Sequence, residues 1–278
     1  MRQFVEKDVK NLLKNSGLRP SKRLGQNFLV DKAIIRKIMS AANLNAQDIV
    51  LEVGPGTGIL TRELAKKAKK VLAVEKDRKM TEILDKTTKQ FKNVKIIQRD
   101  ILKIEPRDYN LKTKEYKIVA NLPYYITSKV LRRFLEGNNP PKEMILMVQK
   151  EVGQRICAKP PEMSLLAVSV QFYAKSEIIS YVPKSSFWPV PKVDSAIIKI
   201  IPHKSAKISR NQRLFFRIAK AGFSQPRKQL SSNLSKDLKI DREIIKNWLL
   251  KNKIQSERRA ETLTLEDWVK LTRTFVSK

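Results

Sequence analysis

The spacing of apolar residues along the first half of the chain follows two alternating patterns. Short apolar runs that suit buried strands lie at 49–53, 71–75, 94–98, 117–120 and 144–149. Stretches with the period of an amphipathic helix accompany them, at 32–42, 60–67 and 80–86. Strands that alternate with helices form parallel sheets joined by right-handed crossovers. We therefore predict an α/β fold built on a mostly parallel, Rossmann-like sheet.

The pattern changes in the second half of the chain. Apolar runs at 165–172, 178–182 and 195–201 follow one another without intervening helices and are interrupted by prolines, which predicts an antiparallel end to the sheet. Beyond Pro202 the spacing is helical, at 212–222, 230–238, 242–252 and 265–275. We predict a basic N-terminal arm at 1–22, an α/β domain at 23–203 and a small helical domain at 204–278.

Net charge indicates the class of partner. The chain has 58 Lys and Arg against 27 Asp and Glu, a formal net charge of +31. Such a chain repels itself when compact unless a polyanion neutralises it, and nucleic acid is the polyanion that fits best. We expect no membrane partner, because no apolar run reaches the roughly 18 residues of a spanning helix. The N-terminal segment does not resemble a secretory signal, so we expect a cytoplasmic protein.

Cysteine and histidine are too scarce to supply the chemistry. Cys157 is the single cysteine, which excludes an internal disulfide, and His203 is the single histidine, which excludes a His-rich metal site. We read Cys157 as a small core residue and His203 as a solvated linker residue. No metal is expected, and any chemistry must come from other groups.

A glycine-rich turn follows the strand at 49–53. Gly54, Gly56 and Gly58 alternate with other residues between this strand and a helix, where a ligand can approach the backbone because no Cβ blocks it. The spacing differs from that of dinucleotide sites, which favours a ligand without phosphates. Glu75 ends the next strand, where an acid can accept both ribose hydroxyls. Asp100 ends the third strand and is placed to accept the amino hydrogens of an adenine. The alternatives are an ordinary turn and solvent-facing acids.

The run Asn121-Leu122-Pro123-Tyr124 follows the strand at 117–120. It resembles the loop of methyltransferases that modify amino groups of bases, in the variant of ribosomal RNA adenine dimethyltransferases. The resemblance implies S-adenosyl-L-methionine as cofactor. The exocyclic nitrogen of adenine is a poor nucleophile because its lone pair is delocalised into the ring. Acceptors at the Asn121 side chain and the Leu122 carbonyl favour a pyramidal nitrogen, Pro123 fixes the turn, and Tyr124 stacks on the extruded base.

Two further segments resemble motifs of the same family. The segment 22–29, Lys-Arg-Leu-Gly-Gln-Asn-Phe-Leu, looks like the N-terminal motif that closes over the cofactor. By that resemblance Asn27, the Leu29 backbone and Asn121 contact S-adenosyl-L-methionine. The segment 187–195 looks like the aromatic and proline loop of the family, in which Phe187 stacks on the other face of the target base. The alternative for this loop is a proline-bounded turn with buried aromatics.

Basic residues form two clusters that favour RNA. Phosphates of folded RNA are their natural partner, because A-form RNA is recognised largely by shape and backbone. The alternative is a solvated helix face. The first cluster lies at the start of the predicted helical domain, which we assign to RNA binding: Arg210, Arg213, Arg217, Lys220, Arg227 and Lys228. The second leads into the predicted cofactor lid, where RNA contact would promote cofactor closure: Lys14, Arg19, Lys22 and Arg23.

The resemblance covers about 20–235 and is strongest to the KsgA-type small-subunit enzymes of the family. It implies dimethylation of two adjacent adenosines in the 3′-terminal hairpin loop of small-subunit rRNA, within a pre-ribosomal particle, by a monomer. One alternative resembles the large-subunit adenine methyltransferases that confer macrolide resistance. Another is a noncatalytic assembly or transcription factor on the same fold, resembling the mitochondrial transcription factor B proteins. An NAD-dependent enzyme fits only the glycine turn.

Overall fold

The computed structural model describes residues 2–21, 24–203 and 211–275. The chain divides into two compact units. We call Met1–Gly153 with Glu177–Pro202 the α/β unit, and Gln154–Ser176 with His203–Lys278 the helical unit. The segment 154–176 was predicted within the α/β domain, but its contacts assign it to the helical unit. The predicted division at 203/204 therefore marks only the last point where the chain passes between the units.

Seven of the strands in the described residues form one sheet, in the order β4-β3-β2-β5-β6-β9-β7. Neighbouring strands from β4 to β6 are parallel, and β9 runs antiparallel to β6. This confirms the parallel sheet with an antiparallel end. Strands β1 and β8 form a separate antiparallel ribbon. The bounds are β1 Phe28–Leu29, β2 Ile49–Val53, β3 Lys70–Glu75, β4 Val94–Gln98, β5 Tyr116–Asn121, β6 Glu143–Gln149, β7 Ala174–Val182, β8 Phe187–Trp188 and β9 Ser195–Pro202.

Two helices of the α/β unit, α2 (Lys32–Ala42) and α4 (Arg78–Thr88), begin where a side chain satisfies a free backbone N–H group. Asp31 caps α2 by accepting from Ala33 N, and Asp77 caps α4 by accepting from Lys79 N. Buried isoleucines of α2 pack in one apolar cluster with residues of β2, β3, β5 and β6. The bounds are α1 Arg2–Asn15, α2 Lys32–Ala42, α3 Ile59–Ala65, α4 Arg78–Thr88, α5 Thr127–Leu135 and α6 Lys150–Ile156, the last of which ends in the helical unit.

The predicted N-terminal arm belongs to the α/β unit. Val9 and Leu13, on one face of α1, are buried in a cluster with Phe28 and Met80. Burial of these side chains stabilises the helix in place, since a short isolated helix is marginal in water. The basic side chains of α1 are therefore carried on a packed element. No helix in the described part of the chain is both long and apolar enough to span a membrane.

The helical unit has its own apolar core, centred on Phe172, Phe215, Leu234 and Trp268. The expected strand at 165–172 was wrong, because these residues form helix α7. Ser164 caps α7 by accepting from Ala167 N, and a short apolar run does not distinguish a buried strand from a buried helix. The helices are α7 Leu165–Tyr173, α8 Gln212–Gly222, α9 Leu230–Leu238, α10 Arg242–Lys251 and α11 Leu265–Arg273.

A buried lysine ties β5 to its neighbours at the end of the sheet where β5 begins. Lys117 Nζ donates to the carbonyls of Ala42, at 2.9 Å, and Asn43, at 3.1 Å. It also lies 2.9 Å from Glu143 Oε1 and 3.3 Å from Asp48 Oδ2. The four oxygen partners replace the hydration that the ammonium group loses on burial. Lys117 thereby links α2, β5 and β6.

Candidate active site

The carboxyl ends of the parallel strands β2 to β5 border one pocket in the α/β unit, as expected for ligands of open α/β sheets. The segment at 24–29 lines another side of it. The structure brings all the predicted cofactor-binding residues to this pocket, together with the loop at 121–124: Asn27, Leu29, Gly54, Gly56, Glu75, Asp100 and Asn121.

The glycine turn packs closely against Pro123 on one side and Phe28 on the other. Gly54, with φ +67°, donates its N–H to Val74 O at 3.0 Å, and a Cβ there would lie 3.4 Å from Pro123 Cδ. Gly56, with φ +56°, would place a Cβ 3.1 Å from the Phe28 ring. Both positions combine a left-handed backbone with close neighbours, so larger residues would be strained and crowded. The turn therefore presents bare backbone to the pocket.

Glu75 is oriented by backbone N–H groups. Its Oε1 accepts from Lys76 N at 2.8 Å and Asp77 N at 2.9 Å, and its Oε2 accepts from Gly56 N at 3.3 Å. Burial raises the pKa of this carboxyl above its usual value, although the backbone hydrogen bonds oppose that rise. The carboxylate is thus fixed at the pocket edge, with lone pairs that remain able to accept hydroxyl groups.

Asp100 lies just beyond the end of β4. Its Oδ1 accepts from Leu102 N at 3.0 Å, and its Oδ2 accepts from Lys76 Nζ at 2.9 Å. Partial burial raises the pKa of Asp100, but the hydrogen bonds from Lys76 and Leu102 outweigh it and leave the pKa below its usual value. Asp100 is therefore an ionised acceptor at the pocket.

Glu52 also lines the pocket, and the sequence analysis did not single it out. It is 1% exposed, and its Oε2 has no hydrogen-bond partner among the described residues. Burial raises the pKa of Glu52 to about 8, opposed by the Thr61 hydroxyl and reinforced by the charge of Glu75. The sequence feature that could have identified Glu52 is a carboxylate within the otherwise apolar strand β2. A buried acid that lines a pocket is suited to a ligand that carries an amino group.

The raised pKa of Glu52 predicts a pH-dependent cost of folding. The folded state binds more protons than the unfolded state between the ordinary value of 4.5 and about 8, so stability falls as pH rises through this window. We expect Glu52→Gln to remove this fall and to be more stable than the unsubstituted chain at pH 9, by on the order of a few kcal/mol. Urea unfolding of the ligand-free proteins at pH 5, 7 and 9 checks this. Parallel stability curves for the two proteins would contradict it.

The loop after β5 is anchored on two sides. Leu122 N donates to Met147 O on β6 at 3.2 Å, and Asn121 Nδ2 donates to Asn27 O at 3.2 Å. Because the amide nitrogen of Asn121 is engaged by Asn27, the side-chain oxygen is left to accept. Pro123 has φ −57°, the value its ring enforces. The predicted lid segment and the predicted catalytic loop are thus joined directly.

Tyr124 is half-buried, and its Oη shares a hydrogen bond of 2.8 Å with Ser195 Oγ on β9. Burial raises the pKa of the Tyr124 phenol, and the bond to Ser195 opposes that rise. The hydroxyl stays neutral at physiological pH and fixes the ring. A fixed aromatic ring beside a pocket offers a face for a base to stack on.

Phe187 is not at the pocket. It is 2% exposed and packs in the apolar cluster of the α/β unit that also contains Leu29. The physical reason is the pairing of β1 with β8, in which Leu29 lies opposite Phe187 and both side chains are buried in that cluster. The arrangement seen here therefore does not supply the predicted stacking by Phe187. Tyr125, which the sequence analysis missed, is 53% exposed and lines the pocket.

Of the predicted RNA contacts in the described residues, Lys14 and Arg19 are exposed in the α/β unit, and the others lie on the surface of the helical unit. Arg213, Arg217 and Lys220 are exposed along α8, opposite its buried residues, and Arg227 and Lys228 are exposed in the segment that follows. No ion-pair partner is found for these five among the described residues. Lys22, Arg23 and Arg210 lie outside the described residues.

The sequence model of the family described as "Ribosomal RNA adenine dimethylase" matches residues 17–276. The chain belongs to this family. A relative from Dehalococcoides mccartyi named ribosomal RNA small subunit methyltransferase A is 44% identical over 264 residues, which cover 95% of this chain and 91% of the relative. A Bacillus cereus protein with the same name is 38% identical over 278 residues, covering 96% of this chain and 95% of the relative.

Two solved structures share the fold of this chain. The 23S rRNA methyltransferase ErmE is 26% identical with a TM-score of 0.74, over 89% of this chain and 99% of that one. A dimethyladenosine transferase from Plasmodium falciparum is 30% identical with a TM-score of 0.72, over 87% and 94% of the two chains. The predicted fold class and family are therefore confirmed, and the protein is an rRNA methyltransferase by descent.

Proposed function

We propose that this protein transfers methyl groups from S-adenosyl-L-methionine to the exocyclic amines of two adjacent adenosines in the 3′-terminal hairpin loop of small-subunit rRNA, giving dimethyladenosines in a pre-ribosomal particle. The single observation that carries the proposal is the hydrogen bond from Asn121 to Asn27, because it joins an amine-recognising loop to the border of a cofactor pocket. The names of the relatives favour the small subunit. A cytoplasmic location and a monomeric state remain predictions.

The residues of the pocket fit S-adenosyl-L-methionine. The bare backbone at Gly54 and Gly56 leaves room for close approach, and Glu75 and Asp100 supply acceptors for ribose hydroxyls and an adenine amine. The unpartnered Glu52 Oε2 suits a cationic amino group. When bound, the cofactor supplies an electrophilic methyl group on a sulfonium. Its positive charge also favours a pocket with several carboxylates.

The residues of the loop prepare the target amine. The Asn121 side-chain oxygen and the Leu122 carbonyl each accept one amine hydrogen, so the nitrogen lone pair points at the methyl group. Tyr124 stacks on the extruded base and fixes its plane. No strong general base is needed, because the methylated ammonium product is acidic and loses its proton to solvent. Positioning and electrostatics supply most of the rate enhancement.

The deciding experiment uses purified protein with labelled S-adenosyl-L-methionine and unmethylated small or large ribosomal subunits, supplied separately. We expect labelled dimethyladenosine confined to the 3′ hairpin of small-subunit rRNA. Label only in large-subunit rRNA would instead favour the resistance-type activity. Tight subunit binding without any label would favour a noncatalytic assembly factor.

Glu75→Ala should weaken cofactor binding by at least about tenfold, because a buried carboxylate that accepts ribose hydroxyls is lost from the pocket. Isothermal titration with S-adenosyl-L-methionine measures the dissociation constant. Glu63→Ala, which removes a partly exposed acid of α3 paired with Lys66, serves as the matched control and should bind normally. A normal dissociation constant for Glu75→Ala would refute its assignment to the ribose.

A further inference from the structure

A basic groove adjoins the active-site pocket in the α/β unit. Gly25, Gln26, Asn27 and Tyr124 line both cavities, so the groove is continuous with the pocket. Its other walls come from the end of α1 and the residues after it, and from the loop after β8. A nucleic acid strand whose base enters the pocket beside Tyr124 must continue past these walls.

The charges that line the groove have one sign. Lys10, Lys14, Arg19 and Lys192 line it, and no Asp or Glu does. Lys10 is engaged by Glu6 at 2.7 Å and lies over the Trp188 ring. No ion-pair partner is found among the described residues for the other three, which are all exposed. Three exposed cations that line a groove without acidic lining residues are complementary to a polyanion.

The same groove offers apolar surface beside its cations. Val190 is 60% exposed, and Trp188 and Pro189 beside it are partly exposed. Grooves that bind single-stranded nucleic acid combine cations that follow the backbone with apolar or aromatic faces for unstacked bases. A duplex offers no such faces, because its bases are stacked on each other. The composition of the groove therefore favours a single strand.

We propose that this groove binds the single-stranded RNA backbone that flanks the target adenosine, with Lys14, Arg19 and Lys192 on its phosphates and Val190 against a neighbouring base. The proposal rests on the proposed function for the identity of the RNA. It adds a binding surface on the α/β unit, distinct from the basic face of α8. It also joins residues of α1 and the β8 loop that lie far apart in the sequence.

The test compares two triple variants of the full chain that lose the same charge. One carries Lys14→Gln, Arg19→Gln and Lys192→Gln in the groove. The control carries Lys86→Gln, Lys89→Gln and Lys92→Gln at exposed positions of and after α4 that do not line the groove. Affinity for a synthetic hairpin with two adjacent loop adenosines is measured across salt concentrations. We expect the groove variant to bind at least about tenfold more weakly, with a salt slope smaller by about 2. Equal behaviour of the two variants would overturn the proposal.

Two finer comparisons locate the contact. Uncharged methylphosphonates at the phosphates flanking the target should weaken binding about tenfold for the unsubstituted protein but at most about twofold for the groove variant. The same substitution in the hairpin stem should affect both proteins equally. In the protein, Val190→Asp should bind about tenfold more weakly than Val190→Asn, which has the same size without the charge. Equal losses in either comparison would overturn the placement of RNA in the groove.

Methyl transfer measured on the same samples separates the two proposals. RNA binding that depends on the groove, without any transferred label, would contradict the proposed function and support the groove as a binding site. Efficient transfer by a groove variant whose kcat/KM equals that of the control would contradict RNA binding in the groove and support the proposed function.

Discussion

Asn121→Ala is expected to lower kcat for methyl transfer by about 100-fold or more, while affinity for RNA changes less than about twofold. The Asn121 oxygen accepts an amine hydrogen most strongly as the nitrogen becomes pyramidal, so its contribution appears mainly in the transition state. Loss of one comparable preorganised hydrogen bond in other active sites costs about 100- to 1,000-fold. Single-turnover transfer with saturating cofactor and RNA measures the chemical step directly.

Two variants control this experiment. Asn121→Asp keeps an acceptor but loses the amide donor to Asn27 O, so it should retain more activity than the alanine variant. Asn11→Ala, on the exposed face of α1, should behave as the unsubstituted chain. Cofactor affinity must be measured alongside, because Asn121 also borders the cofactor pocket. Equal losses in transfer and in RNA binding would refute the assigned role.

The sequence was enough to predict that the pocket residues lie close together, because of one property of parallel sheets. Gly54, Glu75, Asp100 and Asn121 each follow or end a strand, and the carboxyl ends of neighbouring parallel strands share one edge. Sequence position thus translates into spatial proximity without knowledge of the loops. The roles assigned to these residues remain predictions. Helix α2 begins and ends where predicted, because a cap at Asp31 and strong periodicity both mark it.

Other features could not be predicted because they depend on tertiary pairing. The buried position of Phe187 follows from its register with Leu29 in a ribbon of two-residue strands, and a shift of one residue reverses which face is buried. The groove lined by Arg19 and Lys192 depends on loops that no local pattern places together. Lys117 lies in a strand pattern, but its oxygen partners come from distant segments.

Lys117→Met is expected to lower the free energy of unfolding by about 3–5 kcal/mol. The lysine is 4% exposed, and its removal leaves the Asp48 and Glu143 carboxylates at a buried site without their shared cation. Glu143 keeps its ion pair with Lys199, whose Nζ lies 2.9 Å from Glu143 Oε2. Asp48 loses the ion-pair partner it has among the described residues, and a buried charge left unpaired costs more than the pair itself contributes. The carbonyls of Ala42 and Asn43 lose a donor as well. Urea unfolding measures the loss, and peptide-resolved hydrogen exchange should assign it to β5 and β6 with the helical unit unchanged.

The controls distinguish charge from packing. Lys66→Met removes an exposed pair with Glu63 and should change stability by less than about 0.5 kcal/mol. Adding Asp48→Asn to Lys117→Met should recover part of the lost stability, because the site then holds no unpaired carboxylate while Glu143 keeps its pair with Lys199. A double variant less stable than Lys117→Met would mean that Lys117 acts through its packing and its bonds to the α2 terminus. The strands that carry Asn121 and the pocket depend on this distant lysine only through the stability of the sheet, so the folded fraction of Lys117→Met should transfer methyl groups at the normal rate.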